Sequence, residues 1–355
     1  MTVIKRFTQR LFTKNVMPLV SAVLIGFSGI AGAEVSEDQW PAFLEQLKQQ
    51  SLAAGIKQQT IDNVWPDLQL IPKVVSQDRS QPSRDKLTVE AYLQRVITPT
   101  RIEQGRKKYR EHYQQINAIA REVGVEAKYL VALWGVESSY GRLLGRHHVP
   151  SALATMAYEG RRREFFSKEF IDALRIIEQG HISSKEMKGS WAGAMGQCQF
   201  MPSSFLRFAR DGDGDGRANI WSNMADVMAS SANYLRMNGW RAGEHWGRQV
   251  VVPDHQQFIP FNNQKKNLNE WQALGVRRDD GSNLPVAEMN ARLRIDENPA
   301  ERVFLLYHNY DVFLRWNRSE FFATSVGYLA DRIAFPPVMN TPQTDSIEVA
   351  AEPAP

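Results

Sequence analysis

Glu137 is the residue best placed for acid–base work. It follows the run Tyr129-Leu130-Val131-Ala132-Leu133-Trp134-Gly135-Val136, so a helix through it sets a carboxylate at the end of an apolar wall. Withdrawal from water disfavours the charged form and raises a carboxyl pKa, which is what a general acid near neutral pH requires. The same place also suits a carboxylate that caps the helix or pairs with Arg142 or Arg146, and the pattern alone leaves both roles open. A second element, 189–204, begins Gly189-Ser190-Trp191-Ala192-Gly193-Ala194-Met195-Gly196 and continues Gln197-Cys198-Gln199. Its small residues let backbone approach a ligand or a neighbouring helix closely. Ser190 and Gln199 carry groups able to donate to sugar hydroxyls or acetamides. Cys198, the only cysteine, excludes an intramolecular disulfide and reads as a packed small residue in preference to a nucleophile.

A third element has Asp211, Asp213 and Asp215 on alternate positions, with Gly216 next, between two helical patterns. That is the start of an EF-hand loop, where oxygens converge on a hard cation and Gly permits the sharp turn. Its twelfth position is Ser222 where a bidentate Glu belongs, and Asp226 is the best substitute. Arg217 would add its backbone carbonyl. The expectation is a structural Ca²⁺ site of modest affinity, against the alternative of a solvated Asp/Gly turn. A calcium sensor is disfavoured, since sensors pair such loops and only one stands here. No cofactor is expected for the chemistry itself.

These residues need helices to hold them. Helical spacing runs from Asp38 to about Ile71, and again from Val89 through Gly124. Residues 72–90, polar and containing two prolines, read as a surface loop. Further helices are expected over 126–137, 165–180, 202–210, 225–238 and 320–333, with Pro202 at a helix start. Residues 245–295 read as mixed, with a strand at 249–252, and 303–307 as a strand or a helical turn. The class is mainly α (α+β). With 355 residues, 43% of them hydrophobic, the chain can bury one large core or two closely packed ones.

Residues 1–33 stand apart. Lys5, Arg6, Arg10 and Lys14 precede an uncharged apolar run, Val16 to Ala33, that closes Ala31-Gly32-Ala33 before Glu34. That is the layout of a cleaved secretory signal. The rival, a retained anchor, is disfavoured by Pro18 and by the Gly and Ser residues in a run only marginally long for a span. The expectation is a soluble periplasmic monomer. The segment holds those basic residues and no acidic one, so a chain with 43 Lys+Arg and 39 Asp+Glu balances to zero without it. No case for nucleic-acid binding remains. After Pro336 the chain is rich in Pro, Thr, Glu and Ala and reads as a disordered tail, 336–355.

Together the motifs carry a resemblance. Gly135-Val136-Glu137-Ser138-Ser139-Tyr140-Gly141-Arg142, then the Gly189–Ser204 segment, resembles the lytic murein transglycosylase B family. Ala152-Leu153-Ala154-Thr155, Arg161-Arg162-Arg163-Glu164-Phe165-Phe166, Asp213-Gly214-Asp215-Gly216, Ala232-Asn233-Tyr234 with Gly239-Trp240, and Arg315-Trp316-Asn317-Arg318-Ser319 fit the same pattern. The resemblance spans about 36–335 and implies a goose-lysozyme-like α core, about 100–240, with flanking α and small β subdomains. It implies cleavage of peptidoglycan glycan strands with formation of a 1,6-anhydro ring, Glu137 serving as acid and then base. Ser190 and Gln199 would hold the muramyl sugar and its acetamide. Asn317 would lie near the reacting ring, Tyr92 and Tyr234 would line the sugar groove, and Arg161 and Arg162 would meet acidic parts of the substrate. Trp316 and Phe322 stand where the family often has Tyr, which keeps stacking and drops hydroxyl bonds. Gln197-Cys198 replaces an aromatic–Gly pair. The resemblance supports Asp226 as a Ca²⁺ ligand. Rival functions are a lysozyme-type hydrolase using the same Glu, and a non-catalytic wall-binding module. Cell-wall synthesis or remodelling proteins are the expected class of protein partner.

Overall fold

Proline and threonine decide where the first helices begin. Proline opens the helices Pro72–Arg79, Pro99–Glu111 and Pro202–Phe208, where its missing N–H costs nothing and its φ is already helical. Thr88 and Thr98 cap the helices Val89–Val96 and Pro99–Glu111, their hydroxyls accepting from the amides of Ala91 and Arg101 at 3.1 and 3.2 Å. The computed structural model describes residues 37–80 and 87–336. The expected export segment 1–33 and the tail beyond Pro336 lie outside them.

Three expectations change. The helical stretch expected from Asp38 to about Ile71 is two helices, Trp40–Ala53 and Gln58–Val64, and a short 3-10 turn, Trp65–Asp67. Residues 72–79 form a helix in place of a loop, because Pro72 starts it and Val74 and Val75 are buried along it. The helical stretch expected from Val89 to Gly124 is three helices, Val89–Val96, Pro99–Glu111 and Tyr113–Val123, broken at the cap before Pro99 and at His112. The helix Ala127–Ser138 is buried at every residue from Tyr129 to Gly135, as an all-round apolar helix must be. It packs against Glu320–Ala334 and Pro99–Glu111. Across the core, Val149–Glu159 lies against Arg163–Glu178. Ser151 and Thr155 on it accept the amides of Gln69 and Ile71, both at 3.0 Å.

A five-stranded antiparallel sheet runs Lys265–Asn267, Asn290–Arg294, Val303–Leu306, Gly247–Val251, Arg277–Arg278 in spatial order. Its central strand is buried at every residue. Phe304 and Leu306 join the large helical core, while Val303 and Leu305 join a second core with Leu268, Trp271 and Leu293. Alternate side chains thus feed two cores, which is why the strand reads as a plain apolar run. Among the described residues no helix is long and apolar enough to cross a membrane.

Candidate active site

The buried helix Ala127–Ser138 ends one residue after Glu137, and the turn that ends it is unusual. Ser139, Tyr140 and Gly141 all take left-handed φ, 49°, 59° and 81°. For the two non-glycines that costs ~1 kcal/mol each, so contacts must hold the turn. The Tyr140 hydroxyl donates to the Arg101 carbonyl at 2.8 Å, and its ring stands edge-on to Trp134 at 5.6 Å. The Arg101 guanidinium donates to Ser139 Oγ at 3.2 Å, and the Gly141 amide to Ser138 Oγ at 3.1 Å. Gly135 leaves room for the Tyr140 ring, which a Cβ there would meet at 2.6 Å.

Glu137 is thereby fixed at the edge of the core, its side chain half-buried and its carboxyl enclosed. Desolvation pushes its pKa up to about 8, against the opposing hydrogen bond that Trp316 Nε1 donates to Oε1 at 2.6 Å. No second carboxylate contributes to that shift. The carboxyl is therefore mostly protonated at neutral pH, with a donor ready for the anion. Trp316 has no hydroxyl to offer, but its indole N–H supplies a donor in its place. Neither Arg142 nor Arg146 is the partner of Glu137.

Trp316 is held by rings. Tyr234 lies 4.5 Å and Phe200 5.2 Å from it, centroid to centroid. Tyr234 is buried, and its hydroxyl donates to the Arg315 carbonyl at 2.6 Å. It thus braces the chain on which Trp316 and Asn317 sit. Asn317 is exposed, and its Oδ1 accepts the Ser319 amide at 3.1 Å. Phe322 is buried one turn on. Tyr92 is half-buried against Phe321 at 5.3 Å.

The Gly/Ala segment forms tight turns. Ser190 Oγ accepts the Ala194 amide at 3.0 Å, which leaves its own O–H to donate. Gln199, at φ 49°, gives both amide hydrogens away, to Gly196 O at 2.8 Å and Leu144 O at 3.3 Å. Its Oε1 is then the group left to accept an acetamide N–H. Gln197 is buried and joins three parts of the site. Its Oε1 accepts Trp134 Nε1 at 2.6 Å, and its Nε2 donates to Trp221 O at 3.0 Å. Cys198 is buried beside Ser231, and burial pushes its thiol up to about 12, so it is no thiolate nucleophile. Arg161 and Arg162 both pair with Asp78, at 2.5 and 2.8 Å, and Arg161 also with Glu159 at 2.5 Å. Arg101 lies outside every motif, and Tyr140 and Phe200 lie within the two main motifs without a role assigned to them, since each acts through a contact made only on folding.

In the Asp/Gly loop, one carboxylate oxygen each from Asp211, Asp213 and Asp226 lie within 4.8 Å of one another. Backbone amides hold two of these groups in place: Gly214 and Gly216 donate to Asp211, and Gly212 and Asn219 to Asp226. Desolvation and the charges of Asp213 and Asp211 raise the Asp226 pKa. Such an oxygen-only cluster fits a hard divalent cation. Asp215 is not in the triad; its carboxylate accepts the Arg217 amide at 2.8 Å.

A helical protein that seats one neutral carboxyl beside an aromatic brace belongs to a lysozyme-like class. The transglycosylase SLT domain family matches residues 39–331. The membrane-bound lytic murein transglycosylase B of Escherichia coli (strain K12) is 30% identical over 247 residues, 68% of this chain and 66% of that protein, just under two thirds of its length. The crystal structure of SltB3 from Pseudomonas aeruginosa in complex with NAG-anhNAM-pentapeptide is 38% identical, with TM-score 0.80 over 83% of this chain and 80% of that one. Soluble lytic transglycosylase SltB1 from Pseudomonas aeruginosa is 28% identical, with TM-score 0.72 over 83% of this chain and 98% of that one. The chain belongs to the transglycosylase SLT domain family.

Proposed function

We propose that this chain cleaves the β-1,4 bond between N-acetylmuramic acid and N-acetylglucosamine in peptidoglycan, without water, leaving a 1,6-anhydro-muramyl end. The observation that carries it is the neutral Glu137 carboxyl with the Trp316 N–H on it. Glu137 gives its proton to the leaving oxygen as the C1–O bond breaks. The resulting carboxylate, held by Trp316, takes the proton of the muramyl C6 hydroxyl, whose oxygen bonds to C1. Glu137 ends protonated, so the cycle closes with no net proton change. Among the described residues no second carboxylate contributes to the shift of Glu137, and this reading dispenses with the usual two-acid scheme. The substrate's own acetamide takes over the stabilisation of C1. Ser190 donates to that sugar and Gln199 accepts from its acetamide. Asn317, Tyr92, Trp316, Tyr234 and Phe322 line or brace the sugar site. The anhydro sugar named in the SltB3 complex supports the same product here.

Residues 1–33 are a cleaved export signal on this reading, and the enzyme works in the periplasm. Asp211, Asp213 and Asp226 hold Ca²⁺, which fixes the loop leading to Ile220 and Trp221 behind Gln197. Mass spectrometry of digested sacculi tests the function. Anhydro-muropeptides are expected; reducing ends would make the protein a hydrolase, and undiminished release by Glu137→Gln would remove Glu137 from the chemistry.

A further inference from the structure

The turn from Met195 to Phe200 is closed on itself. The Met195 amide donates to the Phe200 carbonyl at 2.8 Å, and the Phe200 amide returns the bond at 3.1 Å. Three of its side chains reach three different parts of the site. Phe200 packs on Trp316, the donor to Glu137. Gln199 carries the oxygen assigned to the acetamide. Gln197 reaches the helix that ends in Glu137 and Ser138. It stands where the resemblance has an aromatic residue, and the proposed chemistry gives it no role.

Every polar group of the Gln197 side chain is engaged. Its Oε1 accepts the Trp134 indole N–H at 2.6 Å, and its Nε2 donates to the Trp221 carbonyl at 3.0 Å. Its backbone amide donates to the Ile220 carbonyl at 2.8 Å. Only one orientation of the side-chain amide suits these neighbours. Turned over, it would set donor against donor at Trp134 and acceptor against acceptor at Trp221. At 8% exposure, water cannot stand in for either partner. Trp134 lies three residues before Glu137, and its carbonyl accepts both the Tyr140 amide and the Ser138 hydroxyl at 3.2 Å. Trp134 therefore joins Gln197 to the left-handed turn that ends the helix. Gly141, the last residue of that turn, lies on the same amide, since a Cβ there would collide with Gln197 Oε1. The reaction needs the acid on the leaving oxygen while the acetamide lies at C1. A misplacement of about 1 Å between such groups can cost about 100-fold in rate.

We infer that Gln197 is a positioning residue: through Trp134 it fixes the Glu137 carboxyl relative to Gln199, two residues along its own turn. The consequence for catalysis rests on the proposed function, whereas the effect on the carboxyl rests on geometry alone, and one measurement addresses each. Gln197→Met keeps the bulk and loses both side-chain bonds. Its kcat for release of anhydro-muropeptides is expected to fall at least about 10-fold with KM little changed. At about pH 5 Gln197→Glu recovers most of that kcat, because a buried protonated carboxyl offers the same acceptor and the same donor. Carbon-13 NMR titration of the Glu137 carboxyl, assigned with Glu137→Gln, needs no turnover. Its pKa, about 8 in the parent, is expected to fall to about 7 in Gln197→Met as water reaches the loosened carboxyl. Trp134→Phe removes the same bond from the other end and should give both changes, including where Gln197→Met folds poorly. A parental kcat in the folded variants, an unmoved carboxyl, or no recovery in Gln197→Glu overturns the inference. Absence of anhydro product from the parent, with the carboxyl shifted in Gln197→Met, overturns the proposed chemistry and leaves the positioning role standing.

Discussion

The indole N–H of Trp316 donates to Glu137 Oε1 at 2.6 Å across 179 residues of sequence. The bond favours the carboxylate, against the desolvation that favours the acid. The site thereby keeps an acid that is protonated near neutrality yet whose anion is not abandoned once the proton has gone.

Removing that donor alone is the direct test. Trp316→Phe keeps a ring against Tyr234 and Phe200 and loses the N–H. A hydrogen bond to a charged group contributes ~1.5 kcal/mol or more, so kcat is expected to fall at least about 10-fold with KM little changed. Trp316→Tyr brings back a donor and recovers part of the loss. Equal kcat in Phe and Tyr variants would show that only the ring matters.

The pH profile follows from the same carboxyl. On the proposed mechanism the free enzyme needs Glu137 protonated, so kcat/KM should fall as pH rises through about 8. Stability carries the same signature. The folded pKa, about 8, lies above the ordinary 4.5. Between those values the native state holds a proton that the unfolded chain has released, so this contribution to stability is full below pH 4.5 and is lost as pH rises towards 8. At 1.36 kcal/mol per unit it amounts to at most about 5 kcal/mol. Glu137→Gln should remove the slope, making the variant the more stable protein at pH 8 and nearly equal at pH 4.5 in paired urea titrations.

Calcium should stabilise the fold without entering the chemistry. With no bidentate Glu in the loop, a Kd of ~0.1 mM is expected. About 1 mM Ca²⁺ would then add about 1.4 kcal/mol over a chelated sample. Asp226→Asn should abolish the melting shift, because Asp226 is the buried member of the triad. No heat on titration and no shift in melting would leave the loop a plain Asp/Gly turn.

How much of this was legible in the sequence depended on how local each feature is. Glu137 could be found, since an acid after an apolar helical run is a pattern within one element. The Asp/Gly loop could be found too, although Asp226 needed a spacing beyond the usual loop. The helix Pro72–Arg79 was hidden by polar residues, its buried face reduced to Val74 and Val75. The helix His308–Trp316, which carries the key indole, was not expected at all. The bond from Trp316 to Glu137 and the ion pairs of Arg161 and Arg162 with Asp78 are products of chain reversal, which no local period encodes.

Gly135 offers the sharpest test of how the turn holds the acid. Alanine there gains helix propensity, ~1 kcal/mol at most. Its methyl would sit 2.6 Å from the Tyr140 ring, which cannot move away without giving up the hydrogen bond to the Arg101 carbonyl. Overpacking of this kind costs about 1–3 kcal/mol, and the lost bond adds roughly 1 more, so the steric term wins. Gly135→Ala should therefore lower the urea midpoint and cut kcat, since Tyr140 fixes the left-handed turn beyond Glu137. Gly135→Ala/Tyr140→Ala removes the clash and should recover stability relative to the sum of the two single changes, while kcat stays low. Strict additivity in that cycle would mean the ring and the glycine do not meet.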